Sequence, residues 1–416
     1  DDGSATFFDA NLLVKAVLGS YGRIDTNLIY GRREVTSNFS SGSNFYKSDI
    51  DTIGVTPRYI LEKKLFGFDN KLTVGLDFYH DKLDKDIFSD RSQASRTYEA
   101  ELKRQSTGIY ARDEFNLLKD LILALGARVE RAKITAGETN LSTGAPAFPD
   151  GEKVHRGEAW EASLTYLFGE RSKVWTKYAT VYRIPTLDQQ TFYNGSSWVF
   201  LPDQFLADLE KETGKSYEVG TQVSPMKDLK LGFTLYRIDM EDEIAIVFPP
   251  PAFVGRNVNL DKTRHQGVEF SMDWLFGKLA RVYANYVFQE ATFREGQYKD
   301  KTVPLVPKHM ANGALDIYLP WSFTLRPEVR YVGDQYSGDD NSNSYEKLDG
   351  YTIVNLYLRY QPDWKMFGVA KPSVFVGVEN LLNKSYSTIG FNYGPGFEYF
   401  YPAPGINFRG GVSLYF

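Results

Sequence analysis

Over 416 residues the chain carries a net charge of only −5, which leaves no basic footprint for nucleic acid. It has no run of about 18 apolar residues, and its mean hydropathy of −0.37 excludes a helical membrane protein. Aromatic residues make up 15% of the chain, a load that suits a transmembrane barrel with two aromatic girdles, where only every second strand residue need be apolar. The absence of cysteine fits a periplasmic route, where stray thiols oxidise. The start, Asp1-Asp2-Gly3-Ser4, is not a signal peptide, so an outer-membrane reading expects a mature or trimmed chain.

Period-2 alternation begins with a first expected strand near Asn11–Leu18 and recurs to the end. Val268, Phe270, Met272 and Trp274 alternate with Glu269, Ser271 and Asp273. Val354, Leu356, Leu358 and Tyr360 alternate with Asn355, Tyr357 and Arg359. Alternation alone does not separate a soluble sandwich from a barrel in lipid. The links do. Short ones fall near Ser20–Arg23, Leu65–Asn70, Leu117–Asp120, Phe168–Arg171, Ser224–Asp228, Phe276–Lys278 and Leu319–Ser322, with a longer one over Gln361–Lys371. Long polar ones alternate with them, near Thr36–Asp49, Leu83–Arg96, Ala136–Glu152, Pro185–Gly214, Phe248–Leu260, Thr292–Pro304, Gly333–Lys347 and Lys384–Pro402. This sorting predicts an all-β, antiparallel transmembrane barrel with periplasmic turns and extracellular loops. About 17 strands of roughly 9–20 residues are expected.

The chain closes on Arg409-Gly410-Gly411-Val412-Ser413-Leu414-Tyr415-Phe416. Phe408, Gly410, Val412, Leu414 and Phe416 share one strand face, and Arg409, Gly411, Ser413 and Tyr415 the other. The ending resembles the signal read by the outer-membrane insertion machinery, with Arg409, Gly411, Leu414 and Phe416 as its elements.

Six further segments, in order over residues 178–416, resemble the barrel of TonB-dependent outer-membrane receptors. Tyr178–Leu187 contains an Arg183-Ile184-Pro185 corner. Lys215–Gly220 reads like "S-x-x-Y-E-x-G", and Asn257 followed by Gln266-Gly267-Val268-Glu269 like "N … x-G-x-E". Val303–His309 resembles a segment leading into a strand near the rim. The sharpest match, Val376–Tyr386, reads Val-Gly-Val-Glu-Asn-Leu-Leu-Asn-Lys-Ser-Tyr, like "V-x-N-L-x-(D/N)-K-x-Y". Pro404-Gly405-Ile406 stands where the family has "P-G-R", with Ile406 replacing the arginine. Residues 1–177 fit the strand pattern without a sharp motif.

The resemblance implies a barrel of about 22 strands filled by an N-terminal plug. Neither plug nor TonB box is found here, so residues 1–416 are expected to be the C-terminal part of the barrel. An odd strand count would send the first and last strands in the same direction, so the chain is not expected to seal a barrel by itself.

The resemblance implies TonB-coupled active uptake of a bulky scarce nutrient, above all a ferric siderophore, across the bacterial outer membrane. The C-terminus would be periplasmic. The alternatives are a passive porin and a structural or adhesive surface barrel. Expected partners are the small-molecule iron chelate, the TonB complex through a plug outside this chain, the insertion machinery, and lipid and lipopolysaccharide. The candidate ligand contacts are Phe192, Tyr193, Trp198, Phe200, Tyr336, Phe391, Tyr393 and Tyr399, rigid amphipathic rings in the long loops. Glu218, Glu269, Asp273, Arg281, Arg359 and Glu379 are expected to face the lumen and plug. No catalytic constellation, cofactor or metal site is expected. His80, His155, His265 and His309 lack metal spacing, and the oxygen-rich run 334–343 lacks the ordered Ca²⁺-loop spacing.

Overall fold

The computed structural model describes residues 2–39, 44–65, 67–192, 204–247, 256–338, 340–362, 365–366, 369–392 and 398–415. In chain order the strands are β1 (Asp2–Val17), β2 (Arg23–Phe39), β3 (Asn44–Leu65), β4 (Phe68–Phe88), β5 (Arg96–Leu118), β6 (Leu121–Asn140), β7 (Pro146–Phe168) and β8 (Ser172–Arg183). A single turn of helix, α1 (Leu187–Gln190), precedes β9 (Thr191–Phe192), β10 (Gln204–Phe205), β11 (Glu212–Met226), β12 (Leu229–Glu241), β13 (Ile244–Val247) and β14 (Arg256–Asn259). Then come β15 (Thr263–Phe276), β16 (Ala280–Phe293), β17 (His309–Leu319), β18 (Phe323–Val332), β19 (Tyr351–Tyr360) and β20 (Lys365–Met366). The last four are β21 (Val369–Glu379), β22 (Ser387–Asn392), β23 (Glu398–Pro402) and β24 (Asn407–Tyr415). Three small two-stranded ladders stand apart, and the other strands form one 18-stranded sheet. Without the two-residue β20 that sheet has the expected 17 members.

The chain divides into two compact units, Asp1–Leu164 with Tyr178–Lys215 and Met240–Asp261, and Thr165–Lys177 with Ser216–Asp239 and Lys262–Phe416. In the first, β1 to β6 pair antiparallel in sequence order. The register Asp77↔Gly108 and Gly108↔Glu130 puts Asp77, Tyr79 and Asp81 of β4 on one face with Arg104, Gly108, Tyr110 and Arg112 of β5 and Arg128 and Glu130 of β6. The opposite face carries Leu72, Val74, Leu76 and Phe78 of β4, Ile109 and Ala111 of β5, and Leu125 and Val129 of β6. Apart from the half-buried Leu72, these apolar side chains are exposed, as lipid-facing groups would be: Ile109 is 54% and Val129 55% accessible.

Further along the same strands the pattern inverts. On the face that was apolar now stand Lys82, Asp84, Glu101, Lys103 and Lys133. On the face that was polar, Leu83, Ala100, Leu102, Ala132, Ile134 and Ala136 form a buried cluster closed by Ile184 and Leu187 from the chain after β8. This corrects the expected links at Thr36–Asp49, Leu83–Arg96 and Ala136–Glu152: β2 runs to Phe39, β4 to Phe88 and β6 to Asn140, and β7 starts at Pro146. The strands outrun the apolar band, reaching 23 residues in β5 and β7. Beyond the band the ladder still satisfies every paired N–H and C=O, but the solvent on the outer face is water, so polar residues there read like loop.

In the second unit β15 to β19 pair in order, followed by β19 with β21 and β21 with β24. One face holds Val268, Phe270, Met272 and Trp274, then Val374, Val376 and Val378, and finally Phe408, Val412 and Leu414. The tight turns coincide with the short links. Gly67 (φ 85°) and Gly277 (φ 56°) supply left-handed residues there, whereas Trp321 and Ser322 (φ 60° and 65°) adopt that conformation with side chains, a strained arrangement. Trp321 is 85% exposed.

Candidate functional site

The polar face of the second unit gathers most of the residues expected to line a lumen. Register places Glu269 and Asp273 (β15), Arg281 and Tyr283 (β16), Asp316 (β17), Arg326 and Glu328 (β18), Tyr357 and Arg359 (β19), Glu379 (β21) and Arg409 (β24) on one side. Arg281 donates to both carboxylate oxygens of Asp273, at 2.7 and 2.5 Å, and its guanidinium lies 4.6 Å from the Tyr283 ring centre. Arg326 approaches the same ring at 5.4 Å and forms an ion pair with Glu328, 2.8 Å away. Tyr357 donates its hydroxyl to Glu379 at 2.9 Å, and Arg409 stands 3.5 Å from that carboxylate. A cleft of about 480 Å³ opens on this face, walled by Tyr283, Asn312, Arg326, Glu328, Asn355 and Glu379. Glu269 and Arg359 are exposed on it. Glu218, on β11, accepts the Trp175 indole N–H at 2.5 Å.

The first unit has an equivalent network that sequence reading missed. Arg128 donates to Asp77 at 2.5 Å, to Glu130 at 2.9 Å and to the Tyr182 hydroxyl at 3.0 Å, while Tyr182 donates to Glu130 at 2.8 Å. Arg104 binds Asp81, which also accepts from Thr52. The large groups lie flat across glycines: a Cβ at Gly75 would strike the Tyr110 ring, and one at Gly108 the Arg128 guanidinium. The signal was present as charges at period 2, but apart from Arg128 with Glu130 the pairings cross 23 to 54 residues of sequence.

The segments that resemble family motifs anchor loops. Arg183 forms a bidentate pair with Glu212, which also accepts the Ile244 N–H at 2.8 Å, and its third nitrogen donates to Gln189 at 2.9 Å. Asn257 donates to the Gln189 carbonyl at 3.1 Å. Asn380 is left-handed (φ 51°) and 2% exposed. Its amide donates to the carbonyls of Lys384 (2.8 Å) and Pro404 (3.1 Å), and its oxygen accepts the Lys384 N–H at 2.8 Å. Asn383 then accepts the N–H of Ile406, the residue in place of the family arginine. Tyr386 stacks on Tyr351, with ring centres 4.3 Å apart.

His155 holds the loop after β8 from below. It is 2% exposed, its Nε2 lies 2.7 Å from Gln190 Oε1, and Gln190 in turn donates to the Leu206 carbonyl. It sits in the stretch of β7 beyond the apolar band. Burial lowers its pKa, opposed by the Gln190 hydrogen bond. A depressed imidazole is neutral in the closed loop, so closure is at full strength above the unfolded value of about 6.5 and weakens as pH falls through it. Hydrogen-exchange protection across 184–192 and 204–211, relative to the intrinsic rate at each pH, should therefore fall between pH 7 and pH 5, and His155→Gln should remove that fall.

The aromatic candidates divide. Tyr193, Trp198, Phe200 and Tyr393 lie outside the described residues, as does Phe416. Phe192 pairs through its backbone with Gln204. Tyr336 accepts the Leu305 N–H through its carbonyl and has the Lys347 ammonium 5.1 Å from its ring centre. Phe391 packs on Gly338 and meets the Tyr401 ring edge-on at 6.2 Å, a loop-to-loop contact. Tyr399 is 56% exposed. Gly411 lies beneath the Phe375 ring, and Leu414 is on the apolar face. In the oxygen-rich run, Asp340 accepts the N–H groups of Ser344 and Tyr345, and Asp334 pairs with Lys347 at 2.6 Å.

The sequence model of the family described as TonB dependent receptor-like, beta-barrel matches residues 3–381. The heme transporter BhuA of Brucella abortus is 20% identical over 388 residues, covering 88% of this chain and 53% of its own length. Among solved structures, the ferric-catecholate import receptor Fiu of E. coli K12 superposes with a TM-score of 0.75 at 16% identity, over 99% of this chain and 64% of that one. The ferric yersiniabactin uptake receptor FyuA of Yersinia pestis gives 0.74 at 16% identity, over 99% and 62%. The chain thus spans about half the length of the curated relatives it matches.

Proposed function

The chain belongs to the TonB-dependent receptor β-barrel family, and from that premise we propose that it forms the barrel wall of a receptor for active, TonB-coupled uptake of an iron chelate across the bacterial outer membrane. The family is one of transport receptors rather than enzymes. The observation that carries the reading is the polar face, where charged and aromatic groups are locked to one another from Asp273 to Arg409. Such a wall gives a moving plug or a polar cargo fixed hydrogen-bonding groups, and its arginines and carboxylates are too evenly mixed for an ion-selective pore. The partner that transmits energy is the TonB complex, acting through a plug outside these 416 residues. The cargo is a ferric siderophore, a reading supported by the similarity to a ferric-catecholate import receptor and a ferric yersiniabactin uptake receptor; haem is the competitor, as in BhuA. Exposed loop aromatics such as Tyr399 would supply contact area. Quenching of the full-length receptor's tryptophan emission by ferric catecholate, ferric citrate and haem tests this directly. Saturable quenching by a ferric siderophore is expected; saturable quenching by haem alone would reassign the cargo, and none by any chelate would remove the proposal.

In this reading the short turns are periplasmic and the long strand extensions extracellular. The cysteine-free chain allows single-site labelling. Asp84→Cys should react with an impermeant maleimide on intact cells and Asp120→Cys only after permeabilisation; the reverse would invert the topology.

A further inference from the structure

The cleft on the polar face of the second unit is lined by five asparagines, and three of them are engaged. Asn380 clamps its own turn, Asn407 donates to the Gly405 carbonyl at 3.1 Å, and Asn355 accepts the Asn380 N–H at 2.9 Å. The other two, Asn285 on β16 and Asn312 on β17, stand directly opposite each other, and Asn312 also stands opposite Arg330 on β18. These three side chains are exposed and make no hydrogen bond or ion pair among the described residues. Next on the same face of β17 comes Ala314, between Tyr283 and Glu328, so a short side chain floors the recess. The charges around it are already taken: Arg326 pairs with Glu328, and Glu379 with Tyr357 and Arg409.

What is left free decides the ligand chemistry. Each asparagine amide offers an acceptor oxygen and two N–H donors, and the Arg330 guanidinium offers a planar fork of donors. A hydroxyl also donates and accepts, so neighbouring hydroxyls on one ring satisfy this row in both directions. A carboxylate only accepts; it would leave the asparagine oxygens unmatched and would come to rest beside Glu328 and Glu379. An apolar ring would dry three polar groups without replacing their hydrogen bonds. The cleft, at about 480 Å³, falls within the range of small-molecule sites, about 300–1,000 Å³. We infer that Asn285, Asn312 and Arg330 form a binding site for a neutral saccharide unit. Two sources share that chemistry, a sugar attached to the chelate and a free oligosaccharide. The site stands on the cleft itself, and only the first source rests on the iron-chelate reading of the preceding subsection.

Calorimetric titration of the full-length receptor in a sugar-free detergent tests it with a ferric catecholate, the same chelate carrying one glucose, and maltotriose. The wild type should bind the glucosylated chelate at least about tenfold more tightly than its parent, or bind maltotriose saturably. The first result identifies an attached sugar and the second a free one. Asn285→Ala with Asn312→Ala should abolish whichever gain is found, and Lys119→Gln, in a tight turn, should keep it. Heat-modifiable migration certifies that each variant is folded. No gain from glucose together with no maltotriose binding, or an equal gain in the double variant, would overturn the assignment. So would an equal gain from a carboxylate placed on the chelate where the sugar stood. A receptor that binds the parent chelate but neither sugar sinks this inference alone; one that binds maltotriose but no chelate sinks the iron-chelate reading alone.

Discussion

Asn380→Ala is expected to cost about 3–4 kcal/mol in the turn after β21. The side chain makes three hydrogen bonds inside a turn that excludes water, at about 1 kcal/mol net each. Alanine at φ 51° adds about 1 kcal/mol, because asparagine tolerates the left-handed region and alanine does not. The lost bonds tie Lys384 and Pro404 together, so the segment between them should loosen before the sheet does. Limited proteolysis between residues 384 and 406 should become at least tenfold faster, a change the outer rows of β21 should not share. Cleavage at the wild-type rate would mean that the turn is held by β22 and β23 alone.

Leu102→Ala should destabilise the strand extensions by about 3 kcal/mol, the range for a buried leucine that leaves a cavity. Its side chain is fully buried among Leu83, Ile134 and Leu187. Ile109→Ala, on the same strand but on the apolar outer face, should cost under about 1 kcal/mol, because lipid flows into the space it leaves. The midpoint temperature of heat-modifiable migration compares the two. A simple barrel with one apolar outer face along its whole length predicts the opposite order, so the pair tests the inversion.

That inversion also explains what the sequence did and did not disclose. The alternation of Val354 to Tyr360 and of Val374 to Val378 was legible because each strand crosses one solvent boundary with one pattern. On β4 the pattern changes phase near His80, and Lys82-Leu83-Asp84-Lys85-Asp86 reads as a polar link when it is strand with its apolar side turned to a folded-in loop. Asp273, Arg281 and Glu379 were legible as residues of one polar face because their charges interrupt apolar runs. Glu212 and His155 were not, because what marks them is burial beneath the loop after β8, set by contacts 29 and 35 residues away. Asn380 was seen as a motif letter; its work as a three-bond clamp is visible only with Pro404 in place.

Cells that express the full-length receptor and lack other iron receptors can be given a radiolabelled ferric siderophore, with and without a functional TonB complex. Saturable uptake that disappears when TonB is removed, while surface binding remains, is the expected result. Uptake that is linear in chelate concentration and indifferent to TonB would contradict it and make the chain the wall of a passive channel.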